Sequence, residues 1–385
     1  MDIADMPPEI ELLCCLTRPN ADYRRALELT ATGLDWTRVF KLAAMHGVRP
    51  HLLHAFRSPQ CSVEASEIKE KLERFEWAQA ARNLTFTREL LRIADKFDAC
   101  GIPFATFKGA TLALSLYGGL ARREFNDIDV IVHHADMPAA EEALQSCGYR
   151  AKFGAAHYRS AFLAYHQQHM FVNDDSSIGF DLHWGFAPKG MPFPIHADTI
   201  WGNLETVQIG GRQIPTLGRD DLAIFLAGHG TKERWRCLGW ICDFAFFYDS
   251  HTEIDWSALI ARSRQIQCER PILLGCTLIS ELMGISVNPK ILHSATRQPS
   301  IQALVHSIVT GISASSTEAD AVAAGTHVDL VLCETSIQKL NVLLRLCFTP
   351  TVGDYETMPI PRSLWPLYHV TRPIRLVGKF LSESL

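Results

Sequence analysis

Two aspartates stand one residue apart in REFNDIDVIV, residues 123–132, just as the chain enters an apolar run. Side chains alternate across a strand, so Asp127 and Asp129 share one face while Ile128, Val130 and Val132 take the other. Two like charges on one strand face repel unless a cation lies between them. A third acid follows in GFDLHW, where Asp181 is separated from the first two by one helix and one strand. If its strand pairs beside the first, three carboxylates converge on one face, and their hard oxygen donors suit Mg²⁺. Two such ions about 3.5–4 Å apart activate an attacking oxygen and neutralise a leaving phosphate. A lone D-x-D also marks solvated strand ends and turns, so the pattern alone leaves both readings open.

Further polar residues cluster around these acids. Lys108 and Gly109 in FKGATLALSLYG fall at a strand-to-helix junction, where backbone N–H groups attract phosphate and glycine permits close approach. The P-loop pattern G-x-x-x-x-G-K-[ST] is absent. Arg123 precedes Asp127 by four residues and can balance carboxylate or phosphate charge. His183, two residues from Asp181, faces the same side of its strand. In HGTKERWRCLGWICDF, the spacing of His229, Lys232, Arg236 and Asp243 predicts one polar stripe if the segment is a continuous helix. Such a stripe is either a solvated face or a cover over a bound substrate, with His229, Lys232 or Arg236 as possible contacts to its phosphate.

The elements that must position these residues are legible from periodicity. Residues 1–95 read as helical, with a long helix that includes Leu72, Phe75, Ala78, Leu84, Leu90 and Ile93 on its apolar face and stops at Gly101. Residues 96–215 read as a β-α-β-α-β-β unit. Its strands are IPFATFKG, FNDIDVIV, AYHQQHMFVN and SIGFDLHWGF, with DDSS as the turn between the last two. One helix closes at Gly118 and Gly119; the next starts with Asp136 as cap and Pro138 in its first turn. Residues 216–385 read as helical, with loops at Asn288–Lys290 and Thr349–Arg362.

Composition narrows the class. Of 385 residues, 47% are hydrophobic and 21% charged, which is ordinary for a soluble globular protein. A net charge of −5 gives no general attraction to nucleic acid or an anionic membrane. Eleven cysteines with no C-x-x-C spacing, several inside apolar runs, read as reduced buried thiols. The acidic N-terminus lacks a signal-peptide pattern, and the longest uncharged stretch, Gln298 to Thr317, is too polar to span a membrane. These features predict a cytoplasmic protein.

Taken together, a strand ending in K-G, a helix ending in Y-G and then R-x-x-x-D-x-D before an apolar run resemble the DNA polymerase β-like nucleotidyltransferase superfamily. The closer resemblance is to its uncharacterised nucleotidyltransferase branch. It is carried by Lys108, Gly109, Tyr117, Arg123, Asp127, Asp129 and the D-L-H-W of Asp181 to Trp184, and continues through HGTKERWRCLGWICDFAFF and LYHVTRPIRL. The superfamily's usual G-S or G-G phosphate loop is replaced here by Lys108-Gly109-Ala110, a variant that the narrower branch shares.

The resemblance implies an α+β palm, a small mixed sheet with two helices, flanked by helical regions. It implies transfer of a nucleoside monophosphate from an NTP, with release of pyrophosphate. Asp127 and Asp129 would hold two Mg²⁺ or Mn²⁺ ions, while Asp181 would bind the ion nearer the acceptor and help deprotonate it. Lys108, Gly109 and Arg123 would bind the nucleotide. The acceptor is left open: a hydroxyl or phosphate of a small molecule, sugar or peptide. Three other readings compete. A non-catalytic nucleotide-binding scaffold predicts decay of the acid set, and all three aspartates are present. The acidic composition counts against a tRNA-modifying toxin. A kinase of the H-G-D-L-H-x-G-N type would need asparagine where Phe186 stands.

Overall fold

Helices form first along the chain because apolar residues recur at helical spacing between good caps. The computed structural model describes residues 6–152, 166–173, 178–189, 191–313 and 328–383, together with Arg159 and Leu163. Four short helices, α1 (Pro8–Thr17), α2 (Tyr23–Thr30), α3 (Trp36–Met45) and α4 (Arg49–Phe56), precede the 34-residue α5 (Ser66–Ala99). Asp22 and Asp35 cap α2 and α3 by accepting backbone N–H bonds from the first turn. Helix α5 ends just before Gly101, which takes the left-handed φ of 67° that the turn into the sheet requires.

The buried stripe of α5 differs from the predicted one. Leu72, Leu90 and Ile93 are buried, but Ala78 is exposed and Leu84 is 59% exposed. The polar pair Gln79 and Asn83 faces inward instead. Asn83 is fully buried and donates to the backbone carbonyls of Leu120 and Arg123, at 2.7 and 3.0 Å. A polar residue on a core-facing stripe is tolerated because the loop below has carbonyls to satisfy.

The sheet carries seven strands in the order β3-β4-β5-β2-β1-β7-β6. These are β1 (Phe104–Thr106), β2 (Asp127–Val132), β3 (Tyr149–Ala151), β4 (Gln168–Asn173), β5 (Gly179–His183), β6 (Glu205–Ile209) and β7 (Arg212–Thr216). Helices α6 (Gly109–Tyr117) and α7 (Met137–Ser146) follow β1 and β2. The fold is the expected α+β one, and the central strands are those predicted. The turn DDSS lies outside the described residues.

The sheet is larger than the predicted small one. Strand β3 adds an edge beside β4, and the β6–β7 hairpin extends the other side through a parallel contact of β7 with β1. Gly210 and Gly211, with φ of 55° and 85°, form the two-residue turn of that hairpin. Asp136 precedes α7 without a side-chain capping bond.

One sheet face is dry. Val130, Val132, Phe180 and Leu182 pack there against α5 and α7, through Phe97, Ala140 and Leu144. Each fully buried side chain of that size contributes roughly 1.5–3 kcal/mol. The opposite face carries Asp127, Asp129 and then Ile131, which packs with Phe107, Phe186 and Phe225. Phe225 comes from α8 (Arg219–Lys232), so that helix closes the inner half of this face and leaves the acidic half open.

The rest of the chain is helical: α9 (Leu238–Ser250), α10 (Trp256–Gln265), α11 (Arg270–Met283), α12 (Pro289–Thr296), α13 (Pro299–Ser313), α14 (Ser336–Phe348), α15 (Val352–Thr357) and α16 (Tyr368–Glu383). Both predicted C-terminal loops are partly helix. Asn288 is the cap of α12, and Thr351 begins a capping box that supports α15. Among the described residues, no helix is long and apolar enough to cross a membrane. All eleven cysteines are free thiols.

Candidate active site

The parallel pairing of β2 with β5 decides the geometry. Asp129 stands directly opposite Asp181 in the register, and Asp127 opposite Gly179. Cross-strand partners share a face, so all three carboxylates and His183 point to the open side. One donor atom each from Asp129, Asp181 and His183 lies within 4.8 Å of the others. A Cβ on Gly179 would lie in ordinary contact with Asp127, 3.9 Å from its Cβ.

Repulsion among the acids shows in their ionisation. Asp129, then burial, pushes the Asp127 carboxyl up to about 6. Burial, then Asp129 and Asp127, pushes Asp181 up to about 7. Asp129 itself is 5% exposed; burial opposes its charge, but Lys108 and His183 hold it well below the usual carboxylate range. Lys108 Nζ donates to Asp129 Oδ1 at 3.3 Å, and His183 Nε2 donates to the same oxygen at 3.1 Å. An ammonium therefore stands between the strand acids. A single cation leaves two of three carboxyls with raised affinity for protons. That deficit of positive charge, on a hard-oxygen donor set, fits divalent cations.

Lys108 reaches this position because it ends the segment after β1 and immediately precedes α6, whose first residue, Gly109, takes φ of 59°. Only glycine adopts that conformation without strain, and it bares the N-terminus of α6 beside Asp127. A Cβ on Gly109 would lie 3.8 Å from the Asp127 carbonyl oxygen.

Arg123 is placed differently from the other predicted site residues. Its guanidinium makes a bidentate pair with Asp243 on α9, at 2.8–3.2 Å, and Tyr117 donates to the same carboxylate at 2.8 Å. Both ionic partners are buried, with side chains 11% and 6% exposed. The loop that carries Arg123 is also held by Asn83 and, one residue on, by a bidentate Arg49–Glu124 pair.

The polar stripe predicted across residues 229–243 does not form. Helix α8 ends at Lys232, and Arg234 and Trp235 turn the chain with φ of 60° and 49°. The cause is Trp235, fully buried and folded back against Gly230, where a Cβ would meet its ring at 2.5 Å. His229 and Lys232 remain on the cleft side of α8. His229 stacks on Phe225, and burial with the nearby Lys108 and Lys232 keeps it neutral. Lys232 is lowered by burial and by Lys108. Arg236 falls in the connecting loop, half exposed, with its Nε donating to the Glu233 carbonyl.

Sequence reasoning missed Gln168, whose register partner is His183 and which therefore shares the acidic face. It also missed Arg345, 8% exposed and 3.4 Å from Asp329. An arginine within the apolar run LLRLCF was the available signal. Phe186 is core, which removes any metal ligand from the position that the kinase reading needed.

The parallel strand pair thus sets three carboxylates on one face, beside a glycine-led helix N-terminus. The chain belongs to the family described as Uncharacterised nucleotidyltransferase, whose sequence profile matches residues 32–284. No curated protein matches. Among solved structures, the solution structure of the antibiotic-resistance factor ANT(2'')-Ia is similar over 58% of this chain and 97% of its own, at 14% identity and a TM-score of 0.28.

Proposed function

We propose that the protein transfers a nucleoside monophosphate from an NTP to an acceptor, using Asp127, Asp129 and Asp181 to hold two Mg²⁺ or Mn²⁺ ions. The observation that carries this reading is the register of β2 and β5, which sets Asp129 opposite Asp181 on a face shared with Asp127. Divalent ions there supply charge neutralisation at the transferred phosphate and acidify the acceptor. The chain's own residues do the rest. Backbone N–H groups at the start of α6, opened by Gly109, receive the phosphate tail, and Lys108, beside Asp129, supplies it with a positive charge. Arg123, locked by Asp243, orients the loop that leads into the strand acids.

The acceptor oxygen attacks the α-phosphorus, the bond from that phosphorus to the α–β bridging oxygen breaks, and pyrophosphate leaves. Asp181 helps to take the acceptor proton. His183 fixes Asp129 through its Nε2 bond, and His229 and Lys232 line the helix side of the cleft.

The test is incubation of the purified protein with each labelled NTP, Mg²⁺ or Mn²⁺ and an acceptor library, reading pyrophosphate and mass gain. Nucleotidylated product is expected. A protein whose thermal stability responds to no NTP–metal combination, and which releases no pyrophosphate, is a scaffold rather than a transferase.

A further inference from the structure

A pocket of about 150 Å³ lies where the end of α1, the helix α4, the end of α6 and the helix α9 meet, and no step above uses it. It is separate from the acids. Tyr117 lines it from the last residue of α6, whereas Asp127 lies beside Gly109, the first residue of that helix. The nine residues of α6 span roughly 12–14 Å, so the two places sit at opposite ends of one helix. A cavity of about this size takes one benzene ring. Its body is apolar, with Leu116, Pro50 and Ala55 beside the rings of Tyr117 and Phe246.

One polar group is buried in that lining without a partner. His51, in the first turn of α4, is 7% exposed, and neither of its ring nitrogens has a hydrogen bond among the described residues. The ring meets Tyr117 and Phe246 edge to face, with centroids 4.8 and 5.7 Å away. Burial lowers its pKa to about 4, so at neutral pH it keeps one N–H donor and one bare acceptor. Buried polar groups in folded proteins are nearly always satisfied, so an unmet imidazole on a cavity wall marks a place for a ligand atom. Charge at the pocket is one-sided. Arg18 and Arg122 line it and no carboxylate does. Arg18 is tied down, its Nε donating to the Asn20 carbonyl at 2.7 Å and its Nη2 standing 3.7 Å from Asp22. Arg122 has no acidic partner among the described residues. Its Nη1 donates to His54 Nε2 at 3.2 Å, and the rest of its fork is left for an oxyanion.

We propose that this pocket is a second ligand site, for a small aromatic carboxylate that carries a hydroxyl group: the carboxylate pairs with Arg122, the ring packs on Phe246 and Leu116, and the hydroxyl bonds His51. This goes beyond nucleotidyl transfer and does not depend on it. Tyr117, which walls the pocket, donates to Asp243, and Asp243 holds Arg123, four residues before Asp127. A bound ligand therefore touches the fully paired cluster and not the acids.

The probe is 4-hydroxybenzoate, titrated calorimetrically into the full chain without nucleotide or metal. Binding at one site is expected, with a Kd on the order of 0.1–1 mM. It should be about tenfold weaker for 4-hydroxybenzamide, which lacks the charge, and about fivefold weaker for benzoate, which lacks the hydroxyl. Arg122→Met should bring the acid down to the affinity of the amide and leave the amide unchanged. His51→Phe should bring it to the level of benzoate. Arg122 is exposed, so Arg122→Met carries the test if the buried His51→Phe gives no cooperative melt. A saturating non-hydrolysable NTP analogue with Mg²⁺ should leave the affinity for 4-hydroxybenzoate as it was. Competition by the analogue, indifference to Arg122→Met, or equal binding of acid and amide overturns the proposal. So does absence of binding heat at about 20 mM ligand, well above the expected range, which leaves His51 to solvent.

Discussion

Two buried charge clusters sit on either side of the loop at residues 120–126, and they are built in opposite ways. Around Arg123, each charge has its counterpart: a bidentate guanidinium–carboxylate pair, closed by a tyrosine hydroxyl. Around Asp129, three carboxyls share one ammonium and one imidazole, and two of them have raised pKa values. The first cluster loses stability if any member is removed, because each would leave an unpaired buried group. The second tolerates the loss of Asp127 or Asp181, because each is repelled by its neighbours. The first cluster is fully matched in charge, whereas the second keeps a deficit of positive charge inside the folded protein, the contrast expected between a structural brace and a candidate cation site.

The sharpest way to break this contrast is Asp127→Asn. Removing one charge-holding carboxylate should lower pyrophosphate release by roughly 10²–10³-fold or more, while the metal-free protein melts at the same temperature or higher. A variant that keeps its rate would remove Asp127 from the chemistry. Asp129→Asn should behave differently from Asp127→Asn. It also loses turnover, but it orphans Lys108 and His183 and so lowers the melting temperature.

On the paired side, Asp243→Asn leaves the Arg123 guanidinium buried without its counter-charge, and should cost roughly 3–5 kcal/mol in chemical denaturation. Activity per folded molecule should fall much less than in Asp127→Asn. If denaturation midpoints of wild type and Asp243→Asn coincide, the cluster is not the brace described here.

The pH dependence sharpens the comparison further. Asp127 and Asp181 have folded pKa values above their unfolded ones, so their contribution to stability is complete below about pH 4 and is lost as pH rises through about 6 and 7. Asp129, held low, has the opposite sign: its contribution is present above about pH 4 and is lost as pH falls. Metal-free Asp181→Asn should therefore gain on wild type between pH 4 and pH 8, by on the order of 2–4 kcal/mol at the top of that range. Saturating Mg²⁺ should shrink the gain. A stability difference that is flat with pH would falsify the repulsion argument.

How much of this was legible in advance depends on how local the cause is. The strand period of DIDVIV and the K-G turn are local, and they placed Asp127 and Asp129 on one face and Lys108 at the strand-to-helix junction. The Gly210-Gly211 pair between ETVQI and RQIPT was an equally local hairpin signal and went unread. Non-local causes were out of reach. Nothing within the α5 sequence says that Asn83 faces inward, because its partners are carbonyls 37 and 40 residues away. Asp243 looked like a member of a helical stripe, whereas its role is set by Arg123, 120 residues upstream. The break after Lys232 likewise depends on where Trp235 finds space, which a helical period cannot reveal.

That break supplies the smallest expected effect. A continuous helix would have carried Arg236 on the same face as His229 and Lys232, as a second cation beside Lys232 over the cleft. In the folded chain it lies past the turn, with its side chain 52% exposed and a contact only to Glu233 among the described ion pairs. Surface ion pairs of this kind contribute about 0–1 kcal/mol. Arg236→Ala should thus change stability by less than about 0.5 kcal/mol and leave the KM for NTP within about twofold, whereas Lys232→Ala, four residues earlier, raises it. Equal effects in the two variants would mean that the loop closes over the cleft when substrate binds, and would restore Arg236 to the site that the sequence period first suggested.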